Sequence, residues 1–264
     1  MKSIKIFSLV AFVAVAAGLS AFIRPKASAG INAGDNGFAV VELFTSEGCS
    51  SCPPADALVA KIEKESSGKP VYILAYHVDY WNRLGWKDQF SSADFSKRQG
   101  EYAKYLKLES VYTPQIVVNG KTEFVGSEES RLRNAIRAGL QSNTGAKLAL
   151  VVANADTKQL RLKYTAEGAG ENPVLQVAVI EKAAVSKIGA GENNGRTLSH
   201  VQIVRKLQQV TLAGNNGVAN ISLPNGFDAK NWEIIGFLQN RANGSIAGAA
   251  KATFVSDNNT AALK

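Results

Sequence analysis

The sequence predicts an α/β domain followed by an all-β domain, and three observations support this class. Strand-like and helix-like stretches alternate up to about residue 143. Beyond that point strand-like stretches follow one another, separated by turns rich in Gly, Asn and Asp. The 264-residue chain is long enough for one large domain or two modest ones.

The first half predicts the order β, α, β, α, β, β, α. Asn119-Gly120 suits the positive φ angles of a two-residue hairpin turn. Leu132, Ile136 and Leu140 recur every four residues and line one helix face. The predicted elements are strand 38–44, helix 53–64, strand 71–78, helix 92–108, strands 115–118 and 122–125, and helix 128–140. This order matches the thioredoxin unit, in which a right-handed crossover places helices over a parallel sheet.

The second half predicts seven strands after a linker at residues 142–145. Their number and spacing are typical of an antiparallel β-sandwich. They cover residues 147–153, 159–164, 174–180, 201–210, 218–223, 232–238 and 248–254, and a long exposed loop is predicted over 183–196. We therefore expect a thioredoxin-like domain over 37–142, a β-sandwich-like domain over 146–255 and a flexible tail over 256–264.

Residues 1–29 have the pattern of a secretory signal peptide. Lys2 and Lys5 precede an almost wholly apolar run, and small residues follow at Ala27-Ser28-Ala29. We expect cleavage after Ala29 and a secreted or periplasmic protein. No later stretch approaches the length that spans a membrane, so no span is expected in the mature chain.

Charge gives little information about a partner. The chain has 30 basic and 22 acidic residues, and its formal net charge is +8. Four of the basic residues but no acidic residue lie in the predicted signal peptide, so part of the excess is lost on cleavage. Because no Lys/Arg cluster with interleaved aromatic residues is found, a nucleic-acid partner is not expected.

The two cysteines, Cys49 and Cys52, are the centre of the predicted chemistry. Disulfides persist in oxidising compartments, but a loop this short gains little chain entropy from closure, which favours a redox pair over a structural bridge. Cys49 stands where a strand ends and a helix begins, facing the positive end of that helix. We assign Cys49 as the exposed, attacking thiol and Cys52 as the resolving thiol.

Three further residues are candidates for the site. Pro114 precedes the hairpin at the point where a cis proline would lie opposite the cysteines. In that case the backbone of Thr113 is free to pair with an extended substrate segment. Glu42 interrupts an apolar strand and either accepts the proton of Cys52 or is a satisfied structural ion.

His77 supports an alternative chemistry. A soft metal such as Cu(I) suits two thiolates, so Cys49, Cys52 and His77 form a possible metal site. A structural histidine held by hydrogen bonds is at least as compatible with the pattern. A four-ligand zinc site is disfavoured, because there is no third cysteine and the two histidines, His77 and His200, are far apart in sequence.

Several separated motifs resemble a known family. They are Val41 to Asp56 around the cysteines, His77-Val78-Asp79-Tyr80-Trp81, Gly85-Trp86-Lys87-Asp88 and Tyr112-Thr113-Pro114-Gln115. Together they closely resemble the secreted bacterial thioredoxin-like family catalogued as domain of unknown function 1223 (DUF1223). The resemblance implies a thioredoxin-like fold over most of residues 38–142 and supplies no substrate or reaction.

The sequence thus predicts an extracytoplasmic thiol–disulfide oxidoreductase without a cofactor. Its expected partners are protein thiols or disulfides, including a redox partner protein, and the C-terminal domain would dock a partner or hold a homodimer. Two alternatives stay open: a copper or other soft-metal module using Cys49, Cys52 and His77, and a non-catalytic binding module on a thioredoxin-like fold. The direction of electron flow is also open.

Overall fold

Strands predominate in this fold. The computed structural model describes residues 37–255, of which 44% are in strands and 20% in helices. The elements are β1 Ala39–Thr45, α1 Pro53–Glu65, β2 Val71–His77, α2 Ala93–Leu106, β3 Gln115–Val118, β4 Thr122–Val125, α3 Glu129–Gln141, β5 Lys147–Ala155, β6 Gln159–Glu167, β7 Pro173–Lys187, β8 Thr197–Thr211, β9 Asn216–Ser222, β10 Trp232–Asn240, β11 Ile246–Lys251 and β12 Thr253–Phe254. A short 3₁₀ turn lies at Asn82–Leu84 between β2 and α2.

The local elements of the first half agree with the sequence. The order β1, α1, β2, α2, β3, β4, α3 is confirmed. Asn119 and Gly120 have φ angles of 50° and 66° at the turn between β3 and β4, as the hairpin requires. Ser92 caps α2 by accepting a hydrogen bond from the Asp94 N–H.

The expected fold class, a thioredoxin-like α/β domain followed by an all-β domain, is wrong. Eight strands form one mixed sheet in the order β11-β10-β7-β8-β2-β1-β3-β4. This sheet joins both halves of the chain, because β8 pairs in parallel with β2 at Ala75 and Ile203. The other four strands form a separate sheet in the order β12-β5-β6-β9. Sequence periodicity identifies a strand but not its distant neighbour, so the shared sheet was not foreseen.

Helices and the small sheet cover the large sheet. On one face, α1 and α3 pack over β1–β3 through a core that includes Leu43, Ile62 and Leu132. The small sheet packs against β7 and β10 through a second core, for example Leu162 on Val177. The opposite face is covered by α2, and its core contains residues from both halves of the chain.

The predicted exposed loop 183–196 is strand at its beginning, over residues 183–187. β7 runs to Lys187 and β8 starts at Thr197, so only residues 188–196 connect them. Ile188 and Asn193 within this connection are buried. We call residues 188–196 the strap. The predicted signal peptide and flexible tail lie outside the described residues, and the predicted domain boundary at 142–146 stays a prediction.

Candidate functional site

The two cysteines form a disulfide between β1 and α1. Cys52 occupies the N-cap position of α1, and its N–H donates to the Cys49 carbonyl at 3.2 Å. Pro53 follows in the first helical turn, where its missing N–H costs little. Both cysteines are 0% exposed. The expectation of an exposed Cys49 is therefore wrong for this disulfide-bonded state.

Thr113 and Pro114 lie beside the disulfide, as the sequence predicted. The peptide bond between them is cis. The Ser51 hydroxyl is 3.4 Å from Cys49 Sγ and donates to the Thr113 carbonyl at 3.5 Å. Trp81 Nε1 donates to Thr113 Oγ1 at 2.8 Å and holds this residue in place. The folded chain thus brings Cys49, Cys52, Thr113 and Pro114 into one site.

Glu42 lies on the other face of the sheet. Side chains alternate along a strand, and β1 directs Val41 and Leu43 towards α1 but Glu42 towards α2. Arg98 Nε donates to Glu42 Oε2 at 2.6 Å, and the Tyr102 hydroxyl donates to Oε1. This geometry gives Glu42 the structural-ion role rather than that of proton acceptor for Cys52.

Asp56 is the acid on the same helix face as Cys52. It lies four residues later in α1, and its N–H donates to the Cys52 carbonyl at 3.1 Å. Thr45 Oγ1, at the end of β1, donates to Asp56 Oδ2 at 3.2 Å. Burial raises the pKa of Asp56 to about 7, although nearby His200 acts to lower it. The four-residue spacing of Asp56 from Cys52 is the sequence signal for this contact.

His77 is paired with Asp88 in the interior. Its Nδ1 lies 2.7 Å from Asp88 Oδ2, and both side chains are fully buried. The Glu47 and Phe90 N–H groups also donate to the Asp88 carboxylate. Burial acts to raise the pKa of Asp88, but His77 and these N–H donors outweigh it, so the net shift is downward.

His200 brings a group from the second half of the chain into this region. Its ring centroid is 4.9 Å from that of His77, although 123 positions separate the two residues in the sequence. His200 Nε2 is 3.5 Å from Glu47 Oε1, and Trp86 Nε1 donates to Glu47 Oε2 at 2.7 Å. We define Glu47, Asp56, His77, Asp88 and His200 as the buried ionisable cluster. Of these five residues, only His77 was a sequence-predicted candidate.

The alternative metal site is not assembled in the described part of the chain. Between residues 37 and 255, no group of three or more His, Cys, Asp or Glu side chains is placed to hold a metal ion. His77 instead contacts Asp88, Phe90 and His200.

The strap covers the disulfide through polar contacts with its backbone. Asn193 Nδ2 donates to the carbonyls of Glu47 and Cys49, each at 2.9 Å. Arg196 donates to Asn193 Oδ1 at 2.8 Å and thereby orients the carboxamide. The Ser50 N–H donates to the Glu192 carboxylate at 3.0 Å. A segment from the second half of the chain therefore completes the site.

The fold and site define a β-rich protein with a disulfide-bonded Cys-x-x-Cys pair at the start of a helix, beside a cis proline. The family model described as "Protein of unknown function (DUF1223)" matches residues 40–239. The chain belongs to this family. No curated protein matches it. Within residues 37–255, none of the helices has the length and apolar character needed to cross a membrane.

Two solved structures are similar to this chain. The first is an X-ray structure of a protein from Agrobacterium tumefaciens, with 28% sequence identity and a TM-score of 0.63, covering 81% of this chain and 92% of that one. The second is a domain of the outer membrane lipoprotein Omp28 from Porphyromonas gingivalis, with 12% identity and a TM-score of 0.25, covering 41% of this chain and 87% of that one. The second likeness carries no argument.

Proposed function

We propose that this protein is a thiol–disulfide oxidoreductase that acts on protein thiols or disulfides through Cys49 and Cys52. The observation that carries the proposal is the position of the disulfide, which bridges the end of β1 and the N-cap of α1. Two cysteines three positions apart stabilise the fold little by closing a loop. They are, however, well placed for reversible exchange next to the positive end of a helix.

The oxidised pair defines a balanced reaction with a dithiol substrate. A substrate thiolate attacks Cys49 Sγ, the Cys49–Cys52 bond breaks, and the Cys52 sulfur leaves with the electron pair. The second substrate thiolate then attacks the substrate sulfur of the mixed disulfide and releases Cys49 as a thiolate. The substrate becomes a disulfide, and the protein gains two electrons. The reverse sequence transfers the electrons to a substrate disulfide.

In this proposal, Asp56 donates a proton to Cys52 and accepts it back in the reverse reaction. Since the pKa of Asp56 is raised to about 7, its carboxyl group can hold or release a proton near neutral pH. It lies on the Cys52 face of α1, so we assign to it the proton that the leaving Cys52 thiolate takes up. The buried Thr45 hydroxyl holds the carboxyl group in position.

The proposed location is extracytoplasmic, with export directed by residues 1–29. An oxidising compartment keeps the Cys49–Cys52 pair in the bonded form that the structure contains. The proposed partners are protein thiols or disulfides and a redox partner protein, because these are the groups with which a Cys49–Cys52 disulfide exchanges. The homodimer held by the second half of the chain also remains a proposal.

The first test is the reactivity of the reduced cysteines. We expect rapid alkylation of Cys49 in the Cys52→Ser variant, with a rate that follows a thiol pKa below the ordinary value of about 8.5. In the Cys49→Ser variant, Cys52 is expected to react more slowly. Oxidised wild-type protein should exchange with a dithiol peptide, whereas both variants should not complete the reaction. A Cys49 rate that follows an ordinary thiol pKa, together with no exchange by the wild type, would contradict the proposal.

A further inference from the structure

The disulfide is buried, and the chain's own strap is hydrogen-bonded to the backbone beside it. Cys49 and Cys52 are both 0% exposed, and so is Asn193, which bonds the carbonyl of Cys49. A protein-sized thiol must reach Cys49 Sγ along the S–S axis to react. The conformation described here therefore excludes such a substrate until the strap moves.

The contacts of the strap resemble those of a bound polypeptide. Two backbone carbonyls, of Glu47 and Cys49, accept hydrogen bonds from the Asn193 carboxamide. The residue after Cys49 also offers a backbone donor, because the Ser50 N–H donates to the Glu192 carboxylate. Closely spaced backbone acceptors and donors are the groups that an extended polypeptide satisfies with its own backbone. These groups cannot be left unpaired and away from water without a cost in free energy.

The strap is closed at its base by its own hydrogen bonds. Two backbone bonds close its base, from the Ile188 N–H to the Arg196 carbonyl and from the Gly195 N–H to the Ile188 carbonyl. Gly195 has a φ angle of +82°, which favours glycine at this turn. At its tip, Glu192 is exposed and is hydrogen-bonded to the exposed residue Ser50. Few hydrogen bonds must therefore break for Glu192 and Asn193 to move away from the backbone beside the disulfide.

The backbone of Thr113 lies on the other side of the disulfide from the strap. The Thr113 carbonyl accepts only the long 3.5 Å bond from Ser51, whose side chain is exposed. Thr113 is held from behind by Trp81 Nε1 and needs no movement to present its backbone.

We propose that the strap occupies the surface on which a substrate polypeptide binds, and that the substrate displaces it to reach Cys49. This inference rests on the proposed thiol–disulfide exchange and adds the surface on which the substrate binds and the regulation of its access. The occupant is an extended polypeptide carrying a thiol or disulfide, which replaces Asn193 at the carbonyls of Glu47 and Cys49. The second half of the chain thereby sets how readily the redox pair reacts with proteins.

Two adjacent asparagines allow a matched test. Asn193 is buried and bonds Glu47 and Cys49, whereas the next residue, Asn194, is exposed. The full-length oxidised protein is mixed with reduced, unfolded ribonuclease A or with dithiothreitol, and the reduction of Cys49–Cys52 is followed by alkylation and mass. Thermal unfolding of each variant establishes that it is folded.

We expect Asn193→Ala to increase the rate with the polypeptide about tenfold, as two hydrogen bonds of the closed position are lost. Asn194→Ala should change this rate by less than about twofold. The rate with dithiothreitol should increase less, since a small thiol needs a smaller opening. Glu192→Ala removes an exposed contact and should raise the polypeptide rate in the same direction, even if Asn193→Ala folds poorly.

The outcomes separate the two proposals. If the polypeptide reduces wild type, Asn193→Ala and Glu192→Ala at the same rate, the strap does not compete with the substrate and the inference is overturned. If dithiothreitol reduces the pair but the polypeptide reduces neither the wild type nor the opened variants, the proposed function fails and the inference with it. If the polypeptide reduces Asn193→Ala and Glu192→Ala faster than it reduces the wild type, while Asn194→Ala behaves as the wild type, both proposals are supported.

Discussion

Asp56 shows how burial changes the chemistry of a single residue. An aspartate in water has a pKa near 3.8, but burial next to Thr45 raises the pKa of Asp56 to about 7. The charged form of Asp56 is also disfavoured by the neighbouring carboxylates of Asp88 and Glu47, while His200 favours it. The same burial that makes the residue useful for proton exchange therefore makes it costly to the fold at neutral pH.

This cost predicts a pH dependence of stability. Between pH 3.8 and about 7, folded Asp56 binds a proton that the unfolded chain has released, so stability decreases as the pH rises through this range. Asp56→Asn is expected to remove this decrease, which is of the order of 4 kcal/mol. Urea unfolding between pH 4 and pH 8 measures it. Asp94→Asn, at an exposed aspartate, is the control and should retain the slope; an unchanged slope in Asp56→Asn would contradict the assignment.

At the scale of elements, a buried ion pair fastens α2 to the large sheet. Arg98 of α2 contacts Glu42 of β1 at 2.6 Å and Gln239 of β10 at 3.2 Å. Tyr102, one turn later in α2, completes the group by bonding Glu42. Because β1 and β10 come from different halves of the chain, this group joins the helix to both.

Removing the cation should leave a buried, unpaired carboxylate. We expect Arg98→Met to lower the free energy of unfolding by about 3–5 kcal/mol, because Glu42 loses its partner while remaining buried. The double variant Glu42→Gln/Arg98→Met should recover part of this loss. Arg133→Met is the control, since its partners Glu65 and Glu129 lie at the surface and screened pairs contribute little. Equal losses from Arg98→Met and Arg133→Met in urea titrations would refute this role.

At the scale of the whole molecule, one sheet makes the two halves interdependent. β2 would become an edge strand without β8, and the core beneath α2 combines Phe44 and Tyr76 with Ile180 and Phe237. Strands that share a sheet and a core are expected to unfold together.

Fluorescence of the three tryptophans tests whether the two halves unfold together. Trp81 and Trp86 report on the first half, and Trp232 reports on β10 in the second half. In Trp232→Phe and in Trp81→Phe/Trp86→Phe, the fluorescence transition in urea should coincide with the circular dichroism transition of the same variant. Two separated transitions would instead show that residues 37–142 and 146–255 unfold as independent domains.

Much of the local structure of this protein could be predicted from its sequence. Apolar periodicity located the strands and helices of the first half, and Asn119-Gly120 located its hairpin. The spacing of Cys49 and Cys52, together with the position of Pro114, identified the groups that lie around the disulfide. The periodicity, the hairpin turn and the cysteine spacing each depend on residues close together in the chain, so the sequence alone was enough to predict them.

Only the tertiary structure decided the rest. The pairing of β8 with β2 depends on surfaces contributed by segments more than a hundred residues apart. The same packing of the second half against the first brings His200 next to His77 and Asn193 to the Cys49 carbonyl. The face of the sheet on which each β1 side chain lies also depends on where α1 and α2 pack. This packing directs Glu42 towards Arg98. Sequence thus determined the local elements and the disulfide-forming pair Cys49 and Cys52, whereas long-range packing determined what surrounds that pair.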